Sequence, residues 1–181
     1  TELGRWLHGL YVWWLFALIA PPTLLLTMLS PNPAAAWRIN RRAARLTLRL
    51  AGIALTVEGI EHLPSAPCVL VANHASYLDG MTLIAALPAH FGFVAKRELL
   101  RQPLARAYLR KLGAQFVERF DARQSVEDAR RLVDPLKAGT SAVIFPEGTF
   151  TRAPGLASFH LGSFAAAVAA LAIGAAHAQQ K

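Results

Sequence analysis

Two short polar segments of the chain hold residue types that acid–base chemistry needs. The first contains His74 and, five residues later, Asp79. A carboxylate beside an imidazole fixes the ring tautomer and stabilises its protonated form, so the other ring nitrogen can take a proton from a substrate. The alternative role for His74 is structural, as a cap for the helix that follows. No Ser or Cys with a matching nucleophile motif accompanies the pair, which leaves a hydroxyl group of the substrate as the nucleophile.

The second segment is a turn-like sequence that begins at Phe145 and ends at Arg152. Pro146 ends the preceding apolar run, and Gly148 lets a backbone come close to another group. Glu147 supplies a hydrogen-bond acceptor and Arg152 supplies a clamp for an anion. By itself this segment indicates only a turn.

Both segments follow predicted strands of an α/β domain. The apolar run Cys68–Ala72 predicts a strand buried on both faces, and Phe91–Ala95 and Ser141–Phe145 predict two more. The other predicted elements are a β-prone run at 53–57, a short strand at 115–118, and helices at 80–87, 98–112, 125–138 and 165–172. This alternation predicts a largely parallel sheet flanked by helices, with functional sites in the loops after the strands.

The N-terminal segment predicts contact with a membrane. Residues 10–29 carry no charged side chain, and a run of that length can span a bilayer. Pro21 and Pro22 lie at its middle, where adjacent prolines break or sharply kink a helix. A kinked transmembrane helix and two short helices dipping into one leaflet are equally supported. A signal peptide fits less well, because a single Arg precedes the run and no small-x-small cleavage site follows it closely. A buried helix pair fits less well, because Trp13, Trp14 and Phe16 cluster as interface anchors do.

Positive charge is concentrated in the segment that follows. Residues 1–53 contain six arginines and one acid, so they carry +5 of the chain's net charge of +8. A helix over Trp37–Leu50 places five of these arginines on one face, at positions 38, 41, 42, 45 and 49. Beside an apolar anchor, this face favours an anionic membrane surface over a solvated face or nucleic acid, and a cytoplasmic orientation. We therefore divide the chain into a membrane-associated helical segment, 1–51, and a catalytic domain, 52–181.

Taken together, the polar segments resemble the glycerolipid acyltransferase family, which is typified by the bacterial 1-acylglycerol-3-phosphate acyltransferases. The family's first block is Asn-His, four residues and Asp, matched by Asn73, His74 and Asp79. Its second block is matched by Gly113, Phe116 and Arg119, with Lys96 upstream, and its third, Phe-Pro-Glu-Gly-Thr, by residues 145–149. The resemblance covers roughly residues 55–165.

The resemblance implies an O-acyltransferase in which His74 is the general base and Asp79 orients it. The hydroxyl of 1-acylglycerol-3-phosphate, or of a related lysophospholipid, would attack an acyl thioester of coenzyme A or acyl carrier protein, forming phosphatidic acid or a diacyl phospholipid. No acyl-enzyme, resident cofactor or metal ion is implied. The implied location is the cytoplasmic face of a bacterial inner membrane.

The resemblance also implies the substrate-binding residues. Arg119, with Lys96 as a weaker candidate, would hold the acceptor's phosphate. Glu147, Gly148 and Thr149 complete the set, with Glu147 and Gly148 shaping the acceptor pocket. The alternative for Arg119 is a surface ion pair with one of two neighbouring acids, Glu118 or Asp121.

The sequence departs from the family pattern in two places. Phe150 stands where the family usually has an Arg directly after the third block, and Arg152 is expected to take over that role. The family's fourth block, an apolar strand containing Pro, has no match in residues 162–181, so the C-terminal part of the family fold is expected to be missing. A second hypothesis follows: a catalytically inactive or truncated membrane-bound remnant that binds anionic lipid. A metal hydrolase is a remote third, because the chain lacks the paired-His spacing of such sites.

Overall fold

The computed structural model describes residues 2–88, 90–117 and 139–147, which form a helix pair followed by an α/β domain. In chain order the elements are α1 (Glu2–Leu29), α2 (Pro33–Leu50), β1 (Val69–Val71), α3 (Asp79–Ala86), β2 (Phe91–Lys96), α4 (Pro103–Lys111), β3 (Gln115–Val117) and β4 (Ser141–Ile144). Short 3₁₀ helices lie at Ile60–His62 and Arg97–Arg101. The predicted α/β class is confirmed. The helices predicted at 125–138 and 165–172 lie outside the described residues.

The described strands form one parallel sheet in the order β1-β4-β2-β3. Val71 of β1 lies beside Ile144 of β4, and Phe93 of β2 lies beside Val143. Because β4 lies between two strands, it is almost wholly buried, whereas Val71 on the outer strand β1 is 45% exposed. The prediction that Cys68–Ala72 is buried on both faces is therefore wrong at Val71. The carboxyl ends of parallel strands share one edge, so the loops after β1 and β4 are neighbours.

The apolar N-terminal segment is one continuous helix through Pro21 and Pro22, so the predicted break does not occur. The two prolines remove two backbone N–H donors. The other backbone polar groups of this apolar helix still find their best partners within the helix, so the helix continues. Just after the prolines, Thr23 Oγ1 donates to the carbonyl of Ile19 at 2.7 Å. Among the described residues, α1 is the helix long and apolar enough to cross a membrane.

Most residues of α1 are exposed in the part of the chain that the structure describes. Only Leu15 and Thr27 of this helix are buried. The side chains of Trp6, Trp13 and Trp14 are 72%, 72% and 63% exposed. A helix in the core of a soluble protein would hide such rings, so the structure argues against the buried-helix interpretation.

The second helix joins the N-terminal pair to the sheet. Asn32 caps α2 by accepting from the Ala35 N–H at 2.9 Å, and Pro33 occupies the first turn, where its missing donor is harmless. Trp37 enters the main core cluster, in which Leu87, Phe91, Val143 and Phe145 are also buried. Further along α2, Ala44 and Leu48 pack against Ala85 of α3.

The predicted arginine face of α2 is present with one modification. Arg38, Arg42, Arg45 and Arg49 are exposed, whereas Arg41 is half-buried. Burial, with the neighbouring charge of Arg45, lowers the pKa of Arg41. Arg45 also donates from Nε to the carbonyl of Ala85 at 2.8 Å, which ties α2 to the end of α3.

Two predicted elements differ from the structure. The helix predicted at 98–112 is divided into the 3₁₀ helix Arg97–Arg101 and α4, because Pro103 forces the preceding Gln102 into an extended conformation. The β-prone run at 53–57 is not a strand, because no strand of the described residues lies beside it to supply hydrogen bonds. Gly113, predicted to end the helix, follows it with φ of 71°, a backbone conformation that favours glycine.

Candidate active site

The loops after β1 and β4 meet at the carboxyl edge of the sheet. The parallel register aligns Val71 with Ile144, so the residues after each strand continue side by side. Glu147 reaches across this junction, where its Oε1 accepts a hydrogen bond from the backbone N–H of His74 at 2.8 Å. Glu147 is only 3% exposed. A buried carboxylate therefore holds the main chain of the histidine loop against the β4 loop.

The imidazole of His74 is fixed through its Nδ1 atom. Nδ1 lies 2.8 Å from Asp79 Oδ2. Because an ionised carboxylate only accepts hydrogen bonds, Nδ1 carries the proton and donates, and Nε2 is the basic nitrogen of the ring. The His74 side chain is 21% exposed, so the ring is positioned by protein but reachable from solvent. Leu78, not His74, occupies the cap position of α3, which argues against the structural role for His74.

Asp79 is held as an anion by several donors. Burial alone would raise its pKa, but hydrogen bonds from the His74 side chain and from the Ser76 and Ala75 N–H groups outweigh burial, and the pKa lies below its usual range. Both backbone donors contact Oδ2, at 2.7 Å from Ala75 and 2.8 Å from Ser76. Asp79 also lies in the first turn of α3, where the helix dipole favours a negative charge.

Phe145 is a site residue that residue type alone did not single out. Its ring stacks on His74, with centroids 4.4 Å apart and planes inclined by 22°. Phe145 is the first residue after β4, opposite the loop that follows β1, so the shared register is the signal that could have found it. The stack presents a flat apolar surface to one face of the imidazole.

A large cavity opens beside His74. Its volume is about 1330 Å³, and its wall comes from α1, α2, α3, β2 and α4. Most of the lining side chains are apolar, among them Phe16, Ile19, Leu24, Met81, Ile84 and Leu109. Apolar cavities with a few convergent polar groups are typical of ligand sites.

The structure brings together three of the predicted site residues, His74, Asp79 and Glu147. Lys96 is the last residue of β2, on the same edge of the sheet as the other two loops. Four predicted residues, Arg119, Gly148, Thr149 and Arg152, lie outside the described residues, so their roles remain predictions.

Comparison of the sequence with known proteins identifies a family. The family model for the Acyltransferase family matches residues 54–177, more than half of the chain. A chloroplastic 1-acyl-sn-glycerol-3-phosphate acyltransferase of Arabidopsis thaliana is 36% identical over 115 residues, which are 62% of this chain and 32% of that protein. A lyso-ornithine lipid O-acyltransferase of Pseudomonas aeruginosa is 37% identical over 97 residues, 54% of this chain and 36% of the other. The matched part is thus about a third of each relative.

A solved structure shares the fold. The crystal structure of the 1-acyl-sn-glycerophosphate acyltransferase of Thermotoga maritima matches with a TM-score of 0.71 and 24% sequence identity, covering 93% of this chain and 71% of that one. At that identity the likeness shows the fold alone. The histidine–aspartate pair, the loop after β4 and the family match together lead to one conclusion: the chain belongs to the Acyltransferase family.

Proposed function

We propose that the protein transfers a fatty acyl group from an acyl thioester to the hydroxyl of 1-acylglycerol-3-phosphate or a related lysophospholipid. The carrying observation is the His74–Asp79 pair, joined by a 2.8 Å hydrogen bond at the edge of a large apolar cavity. The proposal is supported by relatives named as 1-acyl-sn-glycerol-3-phosphate acyltransferases.

The proposed reaction needs one base and no covalent enzyme intermediate. His74 Nε2 takes the proton of the acceptor hydroxyl while Asp79 stabilises the imidazolium that forms. The hydroxyl oxygen bonds to the thioester carbonyl carbon, the carbon–sulfur bond breaks, and the leaving thiolate takes the proton back from His74. Proton transfer by a positioned group of this kind contributes about 10²–10⁴-fold to the rate.

The substrates follow from the surroundings of the pair. The apolar cavity has room for acyl chains. Because His74 lines this cavity, a chain bound there would have its reacting hydroxyl or thioester group beside the base. Arg119, Lys96 and Arg152 are the proposed phosphate ligands, since a guanidinium binds phosphate oxygens in a fork and an ammonium binds them as a point charge. The thioester is of coenzyme A or acyl carrier protein.

The proposed setting is the surface of a membrane. The exposed aromatic rings of α1 suit the boundary between headgroups and acyl chains, and the exposed arginines of α2 suit anionic headgroups. An excess of Arg near an apolar helix favours the cytoplasmic face. Both substrates of the proposed reaction carry acyl chains, so such a setting would supply them to the cavity.

The test is thiol release from an acyl-coenzyme A by detergent-solubilised protein, with and without 1-acylglycerol-3-phosphate. We expect acceptor-dependent release, reduced at least about 10²-fold in His74→Ala. His62→Ala is the matched control, because the His62 side chain is 84% exposed and pairs only with Glu61 at 3.6 Å on the described surface. Its rate should equal that of the wild type.

The same assay separates the competing hypothesis. A membrane-bound remnant would be folded and would bind lipid, yet would release no thiol above the His74→Ala rate with coenzyme A or acyl carrier protein donors and a panel of lysolipids. That outcome would reject the hypothesis that the protein is an active acyltransferase. If thiol release depends instead on a phosphate-free lysolipid, the proposed acyl transfer stands, and the proposed acceptor must be changed.

A further inference from the structure

Four rings form a column between the N-terminal helix pair and the base. Trp37 of α2 stacks on Phe93 of β2, with centroids 6.0 Å apart and planes inclined by 26°. Phe93 stacks on Phe145 at 6.3 Å and 20°, and Phe145 stacks on His74 at 4.4 Å and 22°. Each ring is therefore close to parallel with the next, and the last ring is the proposed base.

Two hydrogen bonds hold His74, and these two by themselves do not fix the plane of its ring. Asp79 holds the Nδ1 edge of the ring and Glu147 holds the backbone N–H. An imidazole held at one edge can still tilt about the line of that hydrogen bond, which would swing Nε2 away from a substrate hydroxyl. The face of Phe145 blocks this tilt on one side of the ring. Phe145 is in turn stacked on Phe93, so the rings behind it help to fix its position.

We propose that Trp37 and Phe93 are positioning residues for His74 and act through Phe145. Trp37 is 1% exposed and lies in the core cluster, and it does not line the cavity beside His74. Any effect of Trp37 on the reaction must therefore travel through packed side chains. Close-packed interiors transmit such displacements, because a ring that loses its neighbour shifts or changes rotamer.

The column gives the N-terminal helix pair a part in catalysis. Trp37 lies on the same helix as the exposed arginines, one residue before Arg38. The position of α2 against the sheet therefore helps to set the plane of the His74 imidazole. This inference rests on the proposed function for its kinetic consequence, but its structural part is independent of which reaction His74 serves.

The test compares two phenylalanines of β2 whose rings both lie near Trp37, and of the two Phe93 is the member of the column. Because Phe93 also lines the cavity, the His74 signals and not the activity are the readout for this pair. Phe93→Met removes the middle ring. Phe91→Met is the control, because Phe91 is also in the core cluster and its ring centroid lies 6.4 Å from that of Trp37, but at 41° its ring is tilted and does not continue the stack. Trp37→Met removes the far ring, and Trp37→Phe, which keeps an aromatic ring, should restore the wild-type behaviour.

Two readouts are taken on protein shown to be folded by circular dichroism. In ¹H–¹³C spectra of histidine-labelled protein, the His74 ring signals are identified by their loss in His74→Ala. Phe93→Met and Trp37→Met should move these signals towards those of an exposed histidine, and Phe91→Met and Trp37→Phe should not. In the thiol-release assay, Trp37→Met should lower kcat about tenfold with KM within about twofold of wild type.

The outcomes separate the two proposals. If Phe93→Met and Phe91→Met leave the His74 signals in the same place, the column does not position the ring, whatever the activity. If the signals respond as expected but the wild type releases no thiol, the positioning stands and the proposed acyl transfer fails. Should Trp37→Met not fold, the Phe93 and Phe91 variants decide the question alone.

Discussion

At the scale of single residues, the charge of the Asp79 carboxylate makes a contribution to stability that depends on pH. Its pKa is lowered in the folded protein, so its contribution to stability is present above the ordinary carboxyl range, about pH 4, and is lost as pH falls through the folded-state pKa. We expect Asp79→Asn to reduce the free energy of unfolding by about 1 kcal/mol at pH 7. Urea titrations at several pH values should show the difference from wild type shrinking below about pH 4.

The control for this prediction is Glu61→Gln. Glu61 is an exposed acid that forms an ion pair with His62 at 3.6 Å on the surface. Surface pairs of this kind contribute little to stability, so this variant should follow the wild type across the pH range. A difference for Asp79→Asn that stays constant down to pH 2 would contradict the assigned role of the charge.

Glu147 offers a second prediction at the residue scale, because two roles can be distinguished by substitution. If its main task is to accept the His74 N–H, Glu147→Gln keeps an accepting oxygen and should retain most of the activity. Glu147→Ala leaves that donor without its partner and should destabilise the protein by about 1–3 kcal/mol. The measurement is kcat and urea midpoint for both variants. Equal losses would show that the negative charge itself is required, as a role in acceptor binding would demand.

At the scale of elements, the sequence predicted that the site lies in loops after strands, but it predicted neither the strand order nor how each helix ends. The runs at Cys68 and Ser141 read as strands of a parallel sheet, and adjacency of β1 and β4 then brings His74 to Glu147. The effects of proline were harder to predict. Pro103 divides a helix because the residue before it must be extended, whereas Pro21 and Pro22 remain inside one. Whether a proline ends a helix therefore depends on the tertiary surroundings of the helix, which the local sequence does not determine.

A buried polar cluster joins three elements and carries the next prediction. Asn40 of α2 donates to Thr27 Oγ1 of α1 at 2.8 Å, and its Oδ1 accepts from the Tyr108 hydroxyl of α4. Asn40 is only 5% exposed. Tyr108→Phe removes a donor and leaves a buried acceptor, so we expect a loss of about 1–2 kcal/mol in the free energy of unfolding at pH 8. Urea denaturation followed by circular dichroism measures it.

The same cluster has a dependence on alkaline pH. Burial raises the pKa of Tyr108, so the folded protein holds the hydroxyl neutral while the unfolded chain ionises it near pH 10. The contribution of Tyr108 is therefore complete below that pH and is lost as pH rises towards the folded-state pKa. The gap between wild type and Tyr108→Phe should narrow above about pH 10. Tyr77→Phe, at a residue that is 86% exposed, should show a smaller loss at pH 8 than Tyr108→Phe.

At the scale of the whole molecule, the chemistry of the site was more predictable than its shape. Residue types and their spacing predicted a His74–Asp79 pair, and the two side chains are joined by a hydrogen bond of 2.8 Å. The cavity combines side chains from five separated elements, and the ring column runs from α2 through β2 to the loop after β4. The cavity and the ring column both depend on tertiary packing. A single sequence does not determine that packing when the order and register of the strands are unknown.

The last prediction concerns how the whole molecule meets a lipid surface. If both the aromatic rings of α1 and the arginines of α2 contact the membrane, each set should make its own contribution to the free energy of vesicle binding. Trp13→Ala with Trp14→Ala should weaken binding to both zwitterionic and anionic vesicles, because it removes apolar contact area. Arg42→Gln with Arg49→Gln should weaken binding to anionic vesicles alone, by about 1 kcal/mol for each charge and less at high salt. Flotation of detergent-depleted protein at two salt concentrations measures both. Equal loss of the arginine variant on the two vesicle types would place the basic face of α2 away from the headgroups, because only an electrostatic contact can distinguish them.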